Sequence, residues 1–231
     1  MNALTVEDLH IEVRASARRA TLQLTVDRDG ELIVFVPTDC DDTVVEEFVR
    51  ERRVWIYKKL AEKEALRHPA TAKQFVSGEG FPYLGRNHRL LLVDEQNAPM
   101  KLEAGRFKML RSAAADGREH MIGWYTSHAQ QWLAERVQRL SARVGVQPSG
   151  VSVQDLGYRW GSCGKGGQLY FHWKSILLPP RMVEYVVAHE LVHLRGLRHT
   201  SEFWRRLELA MPDYAARKHW LAEHGGQIVD L

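Results

Sequence analysis

The sequence predicts an α+β fold: a strand-rich N-terminal part that contains one long helix, followed by a helical part with a small sheet. Three observations predict it. Apolar and polar residues alternate through residues 11–37, apolar residues recur at helical spacing through 43–66 and 120–144, and short strand patterns between 150 and 179 precede further helices. With 231 residues, the chain can form one large domain or two small ones.

The N-terminal part begins with a predicted hairpin and a predicted helix. Asp29-Gly30 lies between two alternating runs, and this dipeptide is a strong signal for a two-residue hairpin turn. The helical spacing that follows predicts one helix over residues 43–66. Asp41 or Asp42 can cap its N-terminus, because a carboxylate accepts hydrogen bonds from the free N–H groups there.

A loop and two strands should follow this helix. Prolines and glycines punctuate residues 67–85, which indicates loop and turn. Residues 87–94 and 106–113 have the pattern of strands. We therefore expect a strand-rich unit over residues 1–116 and a second unit over residues 117–231, with one continuous domain as the alternative.

The second unit should be mainly helical. The amphipathic stretch before Gly145 predicts a long helix that ends at this glycine. Short strand patterns surround a turn at residues 164–167, and Pro179-Pro180 breaks the chain before the next helix. The patterns of residues 201–211 and 213–225 predict two more helices.

The most informative stretch is VVAHELVHLRGLRH, residues 186–199. Residues four apart lie on one face of a helix, so His189 and His193 can bind one metal ion, and imidazole nitrogen suits zinc. Glu190 is turned by about 100° around the helix axis, where it can reach a metal-bound water without ligating the metal. This is the HExxH arrangement, in which the glutamate is the general base.

A third histidine completes the predicted site. Gly196 allows the helix to end in a left-handed turn, after which His199 can return to the metal. Three protein ligands leave one coordination position open for water or substrate, which is typical of catalytic zinc sites. We therefore expect one Zn2+ per chain on His189, His193 and His199, with another divalent metal as the alternative.

Two other interpretations of this stretch are open. The histidines can belong to the surface of a helix that binds no metal. The literal pattern HExxHxxGxxH also matches the metzincins, in which a loop that leads to a Met-turn should follow the third histidine. Here a helical pattern begins near Ser201 and Met211 ends it, which disfavours a metzincin.

Four segments resemble the YgjP-like family of metallohydrolases, which is related to SprT and was once called DUF45. They are YRWGSC (158–163), VVAHELVHL (186–194), HTSEFW (199–204) and MPDYAARKHWL (211–221). The N-terminal half resembles the family more weakly. The resemblance implies a zincin-like catalytic part, zinc on His189, His193 and His199, and Glu190 as the catalytic residue. The sequence departs from the family at Gly196, where members often carry a longer polar residue.

The resemblance leaves two enzymatic functions open. The first is a metallopeptidase in which Glu190 activates zinc-bound water for attack on a peptide carbonyl. The second is a divalent-metal-dependent nucleoside triphosphate (UTP) pyrophosphohydrolase on the same site, in which positive side chains would hold the phosphates. The partner is accordingly an unknown protein or peptide substrate or a nucleoside triphosphate. A binding module with a structural metal is a third class, which an intact Glu190 disfavours.

Four further polar residues are candidates for the site. Arg159 is a catalytic candidate because it can clamp a carboxylate, a phosphate or an oxyanion, although it can equally pin its turn to a buried carboxylate. Ser162 and Cys163 are expected to be structural. His172 is either an ordinary strand histidine or a residue that faces the substrate.

Composition adds weaker information on the class of protein. The net charge is only +3, and neither a zinc finger nor a basic tail supports a nucleic-acid partner. We interpret Arg195, Arg198, Arg205 and Arg206 as a solvated face. Two distant cysteines, no apolar leader and no run of ~18 apolar residues lead us to expect a cytoplasmic protein with no membrane segment.

Overall fold

The computed structural model describes residues 2–26, 31–66, 73–157, 159–196, 199–228 and 231. Helices and strands occur in both halves of the chain, which confirms the α+β class. The contacts divide the chain into two compact units, Met1–Pro69 and Ala70–Leu231. Each unit has its own apolar core.

The first unit is a four-stranded sheet followed by two helices. The elements are β1 (Asn2–Val6), β2 (Leu9–Ala15), β3 (Gln23–Val26), β4 (Leu32–Val36), α1 (Asp42–Glu51) and α2 (Arg53–Leu66). The sheet has the order β1-β2-β4-β3, and only β2 and β4 are parallel. The predicted Asp29-Gly30 turn lies outside the described residues, but the antiparallel pairing of β3 with β4 agrees with a hairpin.

One predicted helix is two helices in the structure. Asp41 caps α1 as expected, since its carboxylate accepts a hydrogen bond of 3.0 Å from the backbone N–H of Thr43. The prediction of a single helix over residues 43–66 is wrong, because α1 ends before Arg52. The Arg52 guanidinium donates to the Phe48 carbonyl at 3.1 Å and lies over its ring, so it satisfies a carbonyl that the helix end leaves free. No glycine or proline marks this break in the sequence.

The described part of the second unit contains two sheets and four α-helices. The elements are β5 (Gly80–Tyr83), β6 (Arg86–Val93), β7 (Met100–Glu103), β8 (Arg106–Leu110), α3 (Gly117–Val144), β9 (Gly150–Gln154), β10 (Gly161–Cys163), β11 (Gln168–His172), α4 (Pro180–His193), α5 (Ser201–Ala210) and α6 (Tyr214–His224). The sheet orders are β5-β6-β8-β7 and β10-β11-β9. None of the described helices is both long and apolar enough to cross a membrane.

Strands β5 and β7 are absent from the sequence-based expectation. β5 lies in the segment predicted as loop, and β7 lies in the connection between the two predicted strands. Each forms a tight hairpin, at Leu84-Gly85 and at Ala104-Gly105, in which both turn residues have positive φ. Such turns usually carry Asn or Asp before the glycine, so Leu84 and Ala104 gave no turn signal.

The boundary between the units differs from the expected one. We expected a division near residue 116, whereas the contacts divide the chain after Pro69. The reason is packing: Phe81 on β5 and Phe107 on β8 are fully buried in one core with Tyr125 of α3. The Tyr125 hydroxyl also donates to the carbonyl of Pro82 at 2.7 Å. The strands before α3 therefore belong to the same unit as the histidine helix.

Candidate metal centre and active-site cleft

Helix α4 is a buried platform for the histidines. Pro180 begins it, as suits a residue that lacks an N–H at a position where no helical acceptor is available. Val183, Val187 and Leu191 are fully buried, and α4 packs against α3, α5, α6 and β10. After His193 the chain turns at Gly196, which has φ of +71° as the sequence predicted. Packing on this many sides fixes the direction in which the side chains of α4 project.

His189, His193 and His199 form a compact group, here called the histidine cluster. Their Nε2 atoms lie 3.3, 3.2 and 2.9 Å apart. Nitrogens bound to one tetrahedral zinc at ~2.0–2.1 Å are ~3.3–3.4 Å apart, so two of the three distances match and the third is somewhat shorter. The spacing of these three nitrogen atoms therefore fits a metal ion of the size of zinc, and imidazole nitrogen is a donor that zinc prefers.

The surroundings keep two of these imidazoles neutral. Burial, and then the charges of the other two histidines, lower the pKa of His189 to about 3. Burial also lowers the pKa of His199, although this ring is more exposed. A metal binds the neutral form of imidazole, so no proton needs to be displaced from these two rings near neutral pH.

Glu190 is a buried carboxylate held between α4 and the edge strand β10. The residue is 7% exposed, and burial raises its pKa to about 7, although the Arg159 charge and a hydrogen bond from the Cys163 backbone N–H oppose this rise. Gly161 makes this contact possible, since a Cβ there would lie 2.7 Å from the Glu190 Cγ. The glycine of the YRWGSC segment therefore leaves room for Glu190.

A cleft of about 740 Å³ opens onto the histidine cluster and Glu190. The β10 segment and α4 form its two walls. Its lining residues outside the histidine cluster and Glu190 are Arg159, Trp160, Gly161, Ser162, Cys163, Gly164, Lys165, Tyr185, Val186, Gly196 and Leu221. The cleft thus combines apolar and aromatic surface with a few polar groups, as ligand sites usually do.

The other candidates from the sequence have different positions. Arg159 is exposed at the cleft, and its guanidinium donates to the Ser162 hydroxyl at 3.3 Å. Cys163 also lines the cleft, where burial and then the Glu190 charge raise the pKa of its thiol. His172 is buried instead. Its Nδ1 accepts from the Lys174 backbone N–H at 3.0 Å, which is a structural role at the start of a 3-10 turn.

The arginines near the third histidine do not converge on the cleft, as far as the structure describes them. Arg195 donates to the carbonyls of Val144 and Gly145 at the end of α3, at 3.0 and 2.9 Å. Arg205 and Arg206 both pair with Glu202. Arg198 lies outside the described residues.

Three residues of the cleft were missed in the sequence. Tyr185 stands one turn before His189, and this spacing of four was a signal that could have found it. Burial raises the pKa of Tyr185 to about 12, so the phenol keeps its proton and can donate a hydrogen bond. Lys165 and Leu221 carry no such signal, because only tertiary folding brings them to the histidine helix.

Three imidazoles beside a buried carboxylate, in an open cleft, define a metal-dependent hydrolase. The chain belongs to the YgjP-like family, since the model of the YgjP-like metallopeptidase domain matches residues 20–224. The protein is accordingly a metallohydrolase.

Comparison with other known proteins adds little to this assignment. The crystal structure of the metallopeptidase zymogen of Pyrococcus abyssi abylysin is similar over 39% of this chain and 93% of that chain, with 21% identity and a TM-score of 0.36. No curated protein matches the sequence.

Proposed function

We propose that the protein is a zinc metallopeptidase in which the histidine cluster binds the metal and Glu190 is the general base. The observation that carries the proposal is the juxtaposition of the cluster, a buried Glu190 and the edge strand β10 in one cleft. A bound zinc ion would supply Lewis-acid polarisation of the substrate carbonyl and would acidify water.

The outer edge of β10 is suited to an extended peptide. In an antiparallel pair, alternate residues direct both their N–H and C=O toward the partner strand. The Trp160 carbonyl accepts a hydrogen bond from the His172 N–H at 2.9 Å, and the Gly164 N–H donates to the Gln168 carbonyl at 2.8 Å. Both partners belong to β11. Gly161 and Cys163 consequently direct their backbone groups outward. The Cys163 N–H is held by Glu190, which leaves the other outward groups to pair with a substrate strand.

The opposite edge of the same sheet is covered. The Gln130 side chain on α3 donates to the Val151 carbonyl at 2.9 Å and accepts from the Val153 N–H at 3.0 Å. One amide side chain therefore takes the place of a neighbouring strand on β9. The sheet keeps its free edge at the candidate metal centre, where a peptide substrate would need it.

The distribution of positive charge favours a peptide over a nucleoside triphosphate. A pyrophosphohydrolase needs several cations that converge on its phosphates. Among the described residues that line the cleft, Arg159 and Lys165 are the only arginine or lysine side chains, and the described arginines near His199 bind elsewhere. The nucleotide function is therefore the second candidate on this site.

The proposed chemistry assigns a proton path to Glu190. Its carboxylate would take a proton from the attacking water and deliver it to the nitrogen of the leaving amine. Burial suits this role, because a base with a pKa near 7 can both accept and release a proton at neutral pH. Arg159 would hold a substrate carboxylate or carbonyl oxygen at the cleft while its charge favours the ionised form of Glu190.

The first experiment compares the wild type with Glu190→Gln. Metal content would be measured by plasma emission spectrometry, and hydrolysis would be measured with casein and with UTP. We expect one zinc per chain in both proteins, casein cleavage by the wild type, and a loss of about 10²- to 10⁴-fold in kcat in the variant, since it keeps the ligands and lacks the base.

The other outcomes distinguish the alternatives. Turnover of UTP without cleavage of casein would establish the pyrophosphohydrolase instead of the peptidase. Full activity of Glu190→Gln would exclude Glu190 as the base. Protein purified without chelator that contains no metal would contradict the assignment of the histidine cluster.

A further inference from the structure

Two aromatic residues of α5 lie directly behind the histidine cluster. Phe203 is fully buried, and its ring centroid lies 4.7 to 4.9 Å from the ring centroid of each of the three histidines. Its plane is tilted by 67° to His189, 40° to His193 and 75° to His199. These separations are in the range in which aromatic rings attract one another in edge-to-face or tilted arrangements.

Trp204 makes a separate contact with the most exposed histidine. Its ring stacks on His199 with a centroid distance of 5.6 Å and an angle of 22°. On α6, Tyr214 stacks on the same tryptophan at 5.7 Å and 20°, and the Lys218 ammonium lies 4.1 Å from its ring centroid. Contacts with α6 therefore hold the Trp204 ring in place, and the Trp204 ring in turn restricts the orientation of His199.

Hydrogen bonding gives less support to His189 than is usual for a metal ligand. A ligand histidine normally donates its second ring nitrogen to a carboxylate, a carbonyl or water, which fixes the ring. The Nδ1 atom of His189 is buried, and no residue that the structure describes is its hydrogen-bond partner. Contacts between rings must then fix the orientation of this imidazole.

We propose that Phe203 and Trp204 are positioning residues that set the geometry of the metal ligands. Phe203 fixes the angles among the three imidazoles from behind, and Trp204 holds His199 after the turn at Gly196. This inference rests on the proposed function only in taking the histidine cluster as the metal site. It does not depend on which substrate the protein hydrolyses.

The test measures metal binding in two pairs of variants of the full chain. Zinc affinity would be measured by competition with a chromophoric chelator, and coordination geometry by the visible absorption of the Co2+-substituted protein. Phe203→Leu keeps an apolar side chain without a ring. Leu207→Ala is its control, because Leu207 is also fully buried on α5 but lies one turn further along.

The second pair of variants, at the half-buried Trp204, distinguishes the effect of ring stacking on His199 from the effect of side-chain volume. Trp204→Phe keeps an aromatic face toward His199, whereas Trp204→Leu does not. We expect zinc affinity to fall about 10- to 100-fold in Phe203→Leu and Trp204→Leu, with a changed Co2+ spectrum, as for other residues that orient metal ligands. Leu207→Ala and Trp204→Phe should bind zinc within about threefold of the wild type. If Phe203→Leu does not fold, the Trp204 pair decides.

The outcomes separate this inference from the proposed function. Wild-type affinity and spectrum in both Phe203→Leu and Trp204→Leu would overturn it, as would an equal loss in Leu207→Ala. A wild type that binds no zinc would overturn the inference and the metal site together. The expected affinities in a protein that cleaves no casein would support the inference and contradict the peptidase.

Discussion

At the scale of single residues, the site depends on how closely backbone and side chains approach each other. Glu190 is buried against β10, and the strand can pass it only because residue 161 has no side chain. The Cys163 N–H then fixes the carboxylate by a hydrogen bond. In its proposed role as general base, Glu190 would have to be held within a fraction of an ångström of its working position, which these contacts can provide.

Gly161→Ala should therefore reduce activity more than stability. The added Cβ would lie 2.7 Å from the Glu190 Cγ and would displace the carboxylate. A displacement of about 1 Å can cost about 10²-fold in rate, so we expect kcat on casein to fall by about this factor while zinc content stays the same.

Gly123→Ala on α3 is the matched control for this substitution. A Cβ at Gly123 meets nothing within 4 Å, and the residue is in the interior of a helix. The control should keep full activity and gain about 0.5–1 kcal/mol of stability, measured by urea unfolding. Equal activity of the Gly161 variant and the wild type would contradict the close approach of β10 to Glu190.

At the scale of elements, the two edges of one small sheet have different surroundings. The β9 edge is capped by the Gln130 amide of α3, whereas the β10 edge lies in the cleft. An uncovered edge strand is a ready partner for another extended chain. The sheet therefore offers one edge for pairing, and this edge adjoins the histidine cluster.

Gln130→Ala should destabilise the protein through the β9 edge. The substitution removes both hydrogen bonds of the amide and leaves part-buried backbone groups unpaired, which costs about 1–3 kcal/mol in the free energy of unfolding. Urea unfolding would measure the loss. Gln131→Ala, at an exposed position of the same helix, should change stability by less than about 0.5 kcal/mol. Equal effects of the two substitutions would refute the capping role.

At the scale of the whole molecule, the histidine cluster connects helix α4 with the two helices that follow it. His199 follows the turn at Gly196, and α5 and α6 pack behind it through Trp204 and Tyr214. A metal bound there would stabilise the folded state by mass action, since the unfolded chain does not bring the three ligands together. This effect should be confined to the unit Ala70–Leu231, which contains all three histidines of the cluster.

Removal of the metal should consequently lower the unfolding temperature of one unit. At a free zinc concentration of ~1,000 times Kd, the binding contributes about 4 kcal/mol, which corresponds to roughly 8–16 °C for a unit of this size. Calorimetry with and without a chelator would measure the shift. His193→Ala should not respond to the chelator, and a wild type with the same Tm in both conditions would contradict metal-linked stability.

The sequence by itself determined the local features of this protein. The HExxH spacing, the glycine after His193 and the third histidine predicted a cluster that the structure brings together, because helix periodicity and glycine backbone freedom are local properties. The long helix before Gly145 and the Asp41 cap follow from local rules in the same way.

Tertiary structure alone decided the features that depend on distant contacts. Strands β5 and β7 and the boundary after Pro69 depend on packing and hydrogen bonds between residues that no periodicity relates. The contact of Gly161 with Glu190 and the Phe203 ring behind the histidine cluster arise in the same way. The break at Arg52 involves a local contact with Phe48, which no glycine or proline signalled. The sequence thus determined which residues could form the site, and packing between elements decided how they are held.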